Sequence, residues 1–436
     1  MEEDGKDTLR VLVTGANSGL GFATCCRLID EFLATRPQSQ TLHLLYSTRD
    51  GKKGDQTLLN LNKHLQKTLE AANARTPGIS LLLEPRIVLE GVLVDLTKLP
   101  TIKALARQLL ARKQRLDGVV WNAGIAGWSG LNFVQATWDI LTGLVQATTY
   151  PKFLICDVGM VTKPQLAGHG TIHTFPEPPL AQVFCSNVFG HYMLTHWLAP
   201  LMTPDTRIVW ISSTSALPDM FNLDDLQGFR SEMAYESSKR LTDLLVMTYD
   251  LPSTQPFVRK FLPAVGKKDD VRDRPQMILT HPGIVQTSIV TLSWFNFYLN
   301  LLAIYVARWI GSPWHTITSY KGCLAAVFAI LAPPAQLLDF ETRDGKGKWG
   351  TSTDVFGNER VARTEVEGWG FGRELGVVPA GSVRTKRTGY RKPTKEMREE
   401  FEEAGRRVWR EMEELRVEWE KRLGRIEIDG ADSVDM

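Results

Sequence analysis

The sequence lacks a strong charge of either sign, paired cysteines, metal-ligand spacings and internal repeats, and each absence removes a class of function. Fifty-one basic residues nearly balance 49 acidic ones, for a formal net charge of +2. No basic stripe interleaved with aromatics appears in the first two thirds, so nucleic acid is not an expected partner. The five cysteines are odd in number and form no C-x-x-C or Cys/His pattern. They read as reduced structural thiols, with no metal expected. Residues Met1 to Thr8 are polar and acidic and lead straight into an apolar strand, so no signal or transit peptide is expected and the catalytic part should face the cytosol. With 43% hydrophobic and 23% charged residues, the 436-residue chain can bury a large core, most simply one core carrying insertions.

What is present is an alternation of strands and helices. The apolar run Leu9–Thr14 ends at Gly15, and the stretch to Gly21 opens a helix reaching about Leu33. Strand-like runs follow at Thr41–Tyr46, Val88–Val94, Gly118–Trp121, Arg207–Ser212 and Gln276–Thr280. Helical spacing appears at Leu99–Lys113, Val183–Met202 and Ala234–Tyr249. This order predicts a Rossmann-type, doubly wound parallel sheet over residues 1–288. Insertions are expected at about 51–87 (polar and helix-prone), 128–180 (irregular, on or near a substrate cleft) and 253–274 (a surface loop). Residues 289–338 form an apolar lid or membrane-associating segment, in which Ile289–Ile310 is long enough to span a bilayer yet carries Arg308. The remainder, 339–436, is expected to be a C-terminal extension with a charged amphipathic helix at 394–423.

The chemistry begins at Thr14-Gly15-Ala16-Asn17-Ser18-Gly19-Leu20-Gly21, a glycine turn between strand and helix whose N–H groups and dipole suit a pyrophosphate. At the end of the second strand Ser47-Thr48-Arg49 stands where a carboxylate would select NAD. A guanidinium there suits the 2′-phosphate of NADP(H). Tyr235 and Lys239 lie four apart on a helix, where the ammonium can ease proton transfer by the phenol. Ser213, the second serine after its strand, completes a carbonyl-reducing group and is preferred over Ser212 and Ser215.

With these motifs on the page, the chain from Leu9 to Ser288 resembles the short-chain dehydrogenases/reductases. Further matching motifs are Asp95-Leu96, Asn122-Ala123-Gly124, Asn187 and Pro282-Gly283-Ile284-Val285-Gln286-Thr287; Trp121 departs from the usual asparagine. The resemblance implies that Asp95 contacts adenine, that Asn122 and Gly124 line the cofactor cleft, and that Thr287 lies near the nicotinamide. It also implies that Asn187 joins Ser213, Tyr235 and Lys239 in a tetrad, holding a water that relays protons to Lys239. The long gap between Ser213 and Tyr235, the aromatic segment after Thr287 and Val366-Glu367-Gly368-Trp369-Gly370-Phe371 resemble the fungal 3-keto-sterol reductases. That narrower resemblance implies NADPH-dependent reduction of a 3-ketone to a 3β-hydroxyl during removal of sterol C-4 methyls. It further implies a place on the cytosolic face of the endoplasmic reticulum membrane and on lipid droplets, with the other C-4 demethylation enzymes as partners. The alternatives are a reductase of 17-keto steroids or retinoids, and a non-catalytic scaffold of a membrane sterol complex.

Overall fold

A computed structural model describes residues 7–166, 177–264, 273–286 and 294–424. Its central sheet has eight strands in the order β10-β9-β8-β7-β4-β1-β2-β3, where β1 is Thr8–Val13, β2 Thr41–Thr48, β3 Ile87–Leu93, β4 Gly118–Trp121, β7 Arg207–Ile211, β8 Gln276–His281, β9 Lys348–Thr353 and β10 Glu359–Thr364. All neighbours pair in parallel except β10, which runs antiparallel to β9. Central strands covered on both faces read as unbroken apolar runs, which is why Val11, Val13, Val119 and Val120 are all fully buried. Strand order reverses between β1 and β4, and such a switch point opens a crevice at the carboxyl ends of the strands.

The sheet corrects the expected domain limits. Residues past 288 are not an appendage, because β9 pairs with β8 from Leu279↔Lys348 to His281↔Gly350 and carries β10 on its other side. The stretch around Trp349 shows neither alternation nor an unbroken apolar run, because its six buried residues include Lys348, Thr351 and Thr353, whose polar groups bond to Asp243, Gly322 and His315 elsewhere in the chain. The stretch 253–274 is likewise no simple surface loop, since Gln255–Phe261 is a helix that buries Val258 and Phe261. The expected continuous helix Val183–Met202 is broken instead. Cys185–Phe189 forms a π turn, and Gly190–Leu198 resumes α-helix. The insertion 128–180 contains an antiparallel hairpin, β5 (Trp128–Leu131) with β6 (Leu154–Cys156), around a helix, Phe133–Thr149, kinked at Gly143.

The C-terminal helix Lys395–Leu423 is capped by the Thr394 side chain, which accepts from the Met397 N–H at 3.3 Å. It lies on the helix Ala234–Met247 so closely that a Cβ on Gly405 would come within 2.4 Å of the Thr248 side chain. The spacing predicts one face at Met397, Phe401, Val408, Met412, Leu415 and Trp419; Met397 and Leu415 are half-buried and the other four buried, and Trp409 joins them by donating to the Leu245 carbonyl at 3.1 Å. This clamp braces, from behind, the helix that carries Tyr235 and Lys239.

Candidate active site

The glycine turn is built by close backbone approach. Gly15 has φ +67°, and a Cβ there would meet Ala123 at 2.9 Å; a Cβ on Gly21 would lie 2.3 Å from the Gly15 carbonyl. The Thr14 hydroxyl accepts from the N–H groups of Asn122 and Ala123 at 3.0 and 3.1 Å, and the Asn122 amide donates to the Thr14 carbonyl at 2.9 Å. The ends of β1 and β4 are thereby locked together. Gly19, at φ +57°, faces open space, and the Ser18 side chain does not cap the helix Gly19–Thr35. An open glycine before uncapped helix N–H groups is a cradle that fits a pyrophosphate.

Gly15, Asn17, Ser18, Gly19, Leu20, Thr48, Arg49, Asp95, Asn122, Gly124, Ser213, Tyr235 and Lys239 all line one cavity of about 1070 Å³. Gly21 and Asn187 do not line it; they shape it from behind. Arg49 is exposed at the rim, close enough to Asp95 to help hold that carboxyl below its ordinary range. Burial opposes that shift at Asp95, and hydrogen bonds from the Thr97 hydroxyl and N–H, at 2.7 and 3.0 Å, outweigh it. The Thr48 hydroxyl donates to the Asp50 carbonyl at 3.0 Å. Thr287 lies outside the described residues.

The reacting groups converge at the carboxyl end of β7. Among the three serines there, the Ser212 hydroxyl is buried on Asp243 and that of Ser215 donates to the Thr149 carbonyl at 3.3 Å. Ser213 lies close enough to the Tyr235 phenol to lower its pKa, and its Oγ accepts from the Ser215 N–H at 3.1 Å. The Lys239 ammonium sits 5.4 Å from the centre of the Tyr235 ring and donates to the Ile211 carbonyl at 2.7 Å. Burial pulls Lys239 down to about 8, helped by the nearby Lys348 and opposed by Asp243. Burial and the adjacent Glu236 push the Tyr235 phenol up, while the nearby Ser213 draws it back. In this state Tyr235 is a protonated donor.

Asn187 sits in the π turn with its side chain already spent. The carbonyl oxygen accepts from the Ile125 N–H at 2.8 Å, and the amide donates to the Ile125 carbonyl and the Ser238 hydroxyl at 2.9 and 3.0 Å. These bonds tie the loop after β4 to the helix of Tyr235. Its main-chain carbonyl, turned by the π geometry, accepts from His191 Nδ1 at 3.3 Å. Burial holds His191 down to about 3, neutral at physiological pH.

Sequence reasoning missed two groups. Glu236 is 2% exposed on the cavity wall, with Oε2 lacking a hydrogen-bond partner. Burial raises its carboxyl to about 7. The only signal was a carboxylate directly after Tyr235. The second group is the ion pair of Asp243 with Lys348, 2.7 Å apart beneath Lys239, which had no signal because its partners lie 105 residues apart.

Beyond the polar end the cavity is apolar. Trp128 packs edge-on against Tyr235 at 5.2 Å, and Ile140, Leu144, Leu154, Leu299, Ala303 and Val306 continue the wall. Two helices frame the mouth, Phe133–Thr149 and the apolar helix Trp294–Trp309, which pack on each other. Each also turns large apolar side chains outward, including Trp138 (65% exposed), Leu141, Trp294, Leu302 and Trp309 (58%).

The chain is similar along nearly its whole length to curated fungal proteins. It is 42% identical to the 3-keto-steroid reductase erg27 of Aspergillus fumigatus, over 96% of this chain and 95% of that protein. Against the 3-keto-steroid reductase ERG27 of Gibberella zeae it is 37% identical, with 96% of each covered. Among solved structures it is similar to salutaridine reductase from Papaver somniferum at 17% identity and a TM-score of 0.41, covering 75% of this chain and 96% of that one. No family model matches the chain.

Proposed function

Because the chain belongs to the 3-keto-steroid reductase family, we propose that it is an NADPH-dependent reductase converting the 3-ketone of a sterol C-4 demethylation intermediate to a 3β-hydroxyl. The observation that carries this reading is the Ser213, Tyr235, Lys239 group opening onto a large apolar-walled cavity. When bound, NADPH supplies the hydride. The pyrophosphate would rest on the glycine turn, and Arg49, exposed at the rim, would meet the 2′-phosphate. Ser213 holds the ketone oxygen and Tyr235 gives it a proton as charge develops there. Lys239 favours loss of that proton through its charge and would hold the nicotinamide ribose. Trp128 and the helix Phe133–Thr149 would exclude water from the ring system. Incubation with NADPH and a panel of 3-keto sterols, 17-keto steroids and retinals tests the assignment; preferred turnover of a 17-ketone or a retinal would replace it, and inertness on all would favour the scaffold.

The exposed apolar side chains at the mouth support an interfacial location, so that a nearly insoluble sterol enters directly from lipid. No helix among the described residues is long and apolar enough to cross a membrane. The apolar helix has 16 residues, about 24 Å, against a hydrocarbon core of about 30 Å. Of the basic cluster near the C-terminus, Arg387 and Arg391 pair with Glu367, leaving Arg384, Lys386 and Lys392 exposed beside the cleft helix, where Lys386 accepts from Gln146 at 2.6 Å through its carbonyl. These three suit anionic headgroups. The cytosolic face of the endoplasmic reticulum and lipid droplets are the surfaces proposed, with the other C-4 demethylation enzymes as partners.

A further inference from the structure

Lys348 comes from β9, far outside the stretch that carries the catalytic motifs, yet its ammonium donates at 2.7 Å both to the Ser213 carbonyl and to Asp243 Oδ2. The lysine side chain is 4% exposed and Asp243 is fully buried. Asp243 accepts the Ser212 hydroxyl on its other oxygen. Lys348 on β9 therefore holds the Ser213 carbonyl directly and, through the Asp243 carboxylate, the Ser212 hydroxyl. Lys348 does not line the substrate cavity, so it touches neither ketone nor cofactor.

The electrostatic setting is crowded with cations. Asp243 faces Lys239 and Arg240 from its own helix and Lys348 from β9. Arg240 also donates to the Glu367 carbonyl at 3.1 Å and feels the charges of Glu367 and Asp219. Tyr235 and Glu236, whose carboxyl burial raises to about 7, stand on the same helix, and the neighbouring His191 and, on β8, His281 are held neutral by burial. Burying a lysine beside two other cations costs stability, and a well-packed apolar side chain would fill this place at lower cost. What an apolar residue cannot do is grip the Ser213 carbonyl.

We propose that Lys348 is a positioning residue for carbonyl reduction, holding the Ser213 backbone so that its hydroxyl and the Tyr235 phenol meet the same ketone oxygen. The proposal rests on the reductase reading above, and every comparison is made against wild-type turnover on the best ketone of the panel. An inert wild type would sink the reading itself, whereas an active wild type isolates Lys348.

The test is Lys348→Met in the full chain, with steady-state kinetics, NADPH binding by fluorescence and the pH dependence of kcat/KM. We expect kcat to fall about 10- to 100-fold, the cost of a small misplacement of a reacting group, while KM and the NADPH Kd stay within about threefold. The alkaline limb should move upward, since a cation beside Lys239 is gone. Lys348→Arg, which keeps charge and donors, should recover part of the loss. A lowered melting temperature with unchanged kcat and pH profile would overturn the proposal. If the single variant does not fold, the double variant Lys348→Met/Asp243→Asn leaves no unpaired charge from that ion pair. It should keep the kcat loss with a limb close to wild type, and wild-type kcat in it would equally overturn the proposal.

Discussion

Replacing Glu236 by Gln should stabilise the protein, and should do so only where the pH is high enough for the native carboxyl to ionise. The carboxyl is 2% exposed, has an unpartnered Oε2, and is raised by burial from 4.5 to about 7. A carboxyl whose folded value lies above its unfolded value contributes stability that is fully present below 4.5 and is lost as pH rises through about 7. The separation of those two values corresponds to about 3 kcal/mol, of which roughly 2.5 kcal/mol is lost between pH 5 and pH 8. Gln fills the same volume and does not titrate, so its stability relative to wild type should climb across that window by about the same amount. For a chain of 436 residues, an unfolding entropy of about 2.1 cal/mol/K per residue makes this a gain of roughly 2–3 °C in melting temperature. Differential scanning calorimetry of both proteins at half-unit intervals from pH 5 to pH 8 reads it directly. A difference that is flat with pH, or that shrinks as pH rises, would refute the reasoning. So would a gain already complete at pH 5.

Tyr235→Phe should lower kcat at least about a thousandfold while the NADPH Kd moves less than about threefold, because the proton donor is lost and the glycine turn is untouched; a large loss of cofactor affinity with normal single-turnover rate would contradict the role. Arg49→Ala should weaken NADPH about tenfold and NADH hardly at all, the low end for a charge-assisted bond since the side chain is exposed. Equal weakening of both, by fluorescence titration, would remove Arg49 from the 2′-phosphate. The kcat/KM for NADPH should fall about tenfold per pH unit above about 8, where Lys239 in the free enzyme loses its charge; a limb that stays put in Lys239→Arg would assign it elsewhere. Trp138→Asp/Trp309→Asp should weaken sedimentation with phosphatidylcholine–phosphatidylserine vesicles at least about tenfold with an unchanged melting temperature, both rings being exposed in the native chain. Undiminished binding would place the membrane contact on another face.

Parts of the fold were legible because they are local. The glycine turn, Tyr235 with Lys239 one helical turn apart, and Arg49 at a strand end are short-range patterns with fixed geometry. β4 was read to the residue, and the C-terminal helix within one, because an apolar run bounded by Gly118 and a Thr394 cap announce their own limits. Other parts were hidden for reasons that are equally physical. The π turn at Cys185–Phe189 preserves helical composition while shifting register, so periodicity alone reads straight through it. β9 and β10 follow an apolar helical region and looked like an extension, since pairing with β8 is a choice made by partners far away in the chain.

The sequence by itself pointed to the fold class, the glycine turn and the pairing of Tyr235 with Lys239, because each depends on residues adjacent in the chain or one turn apart. Only the tertiary structure decided what surrounds them. It spent the Asn187 side chain on Ile125 and Ser238, left Glu236 buried without a partner for Oε2, and brought Lys348 on β9 to within 2.7 Å of the Ser213 carbonyl. Burial and long-range contact set the charge state of a side chain and the company it keeps, and neither exists until the sheet has closed over the site.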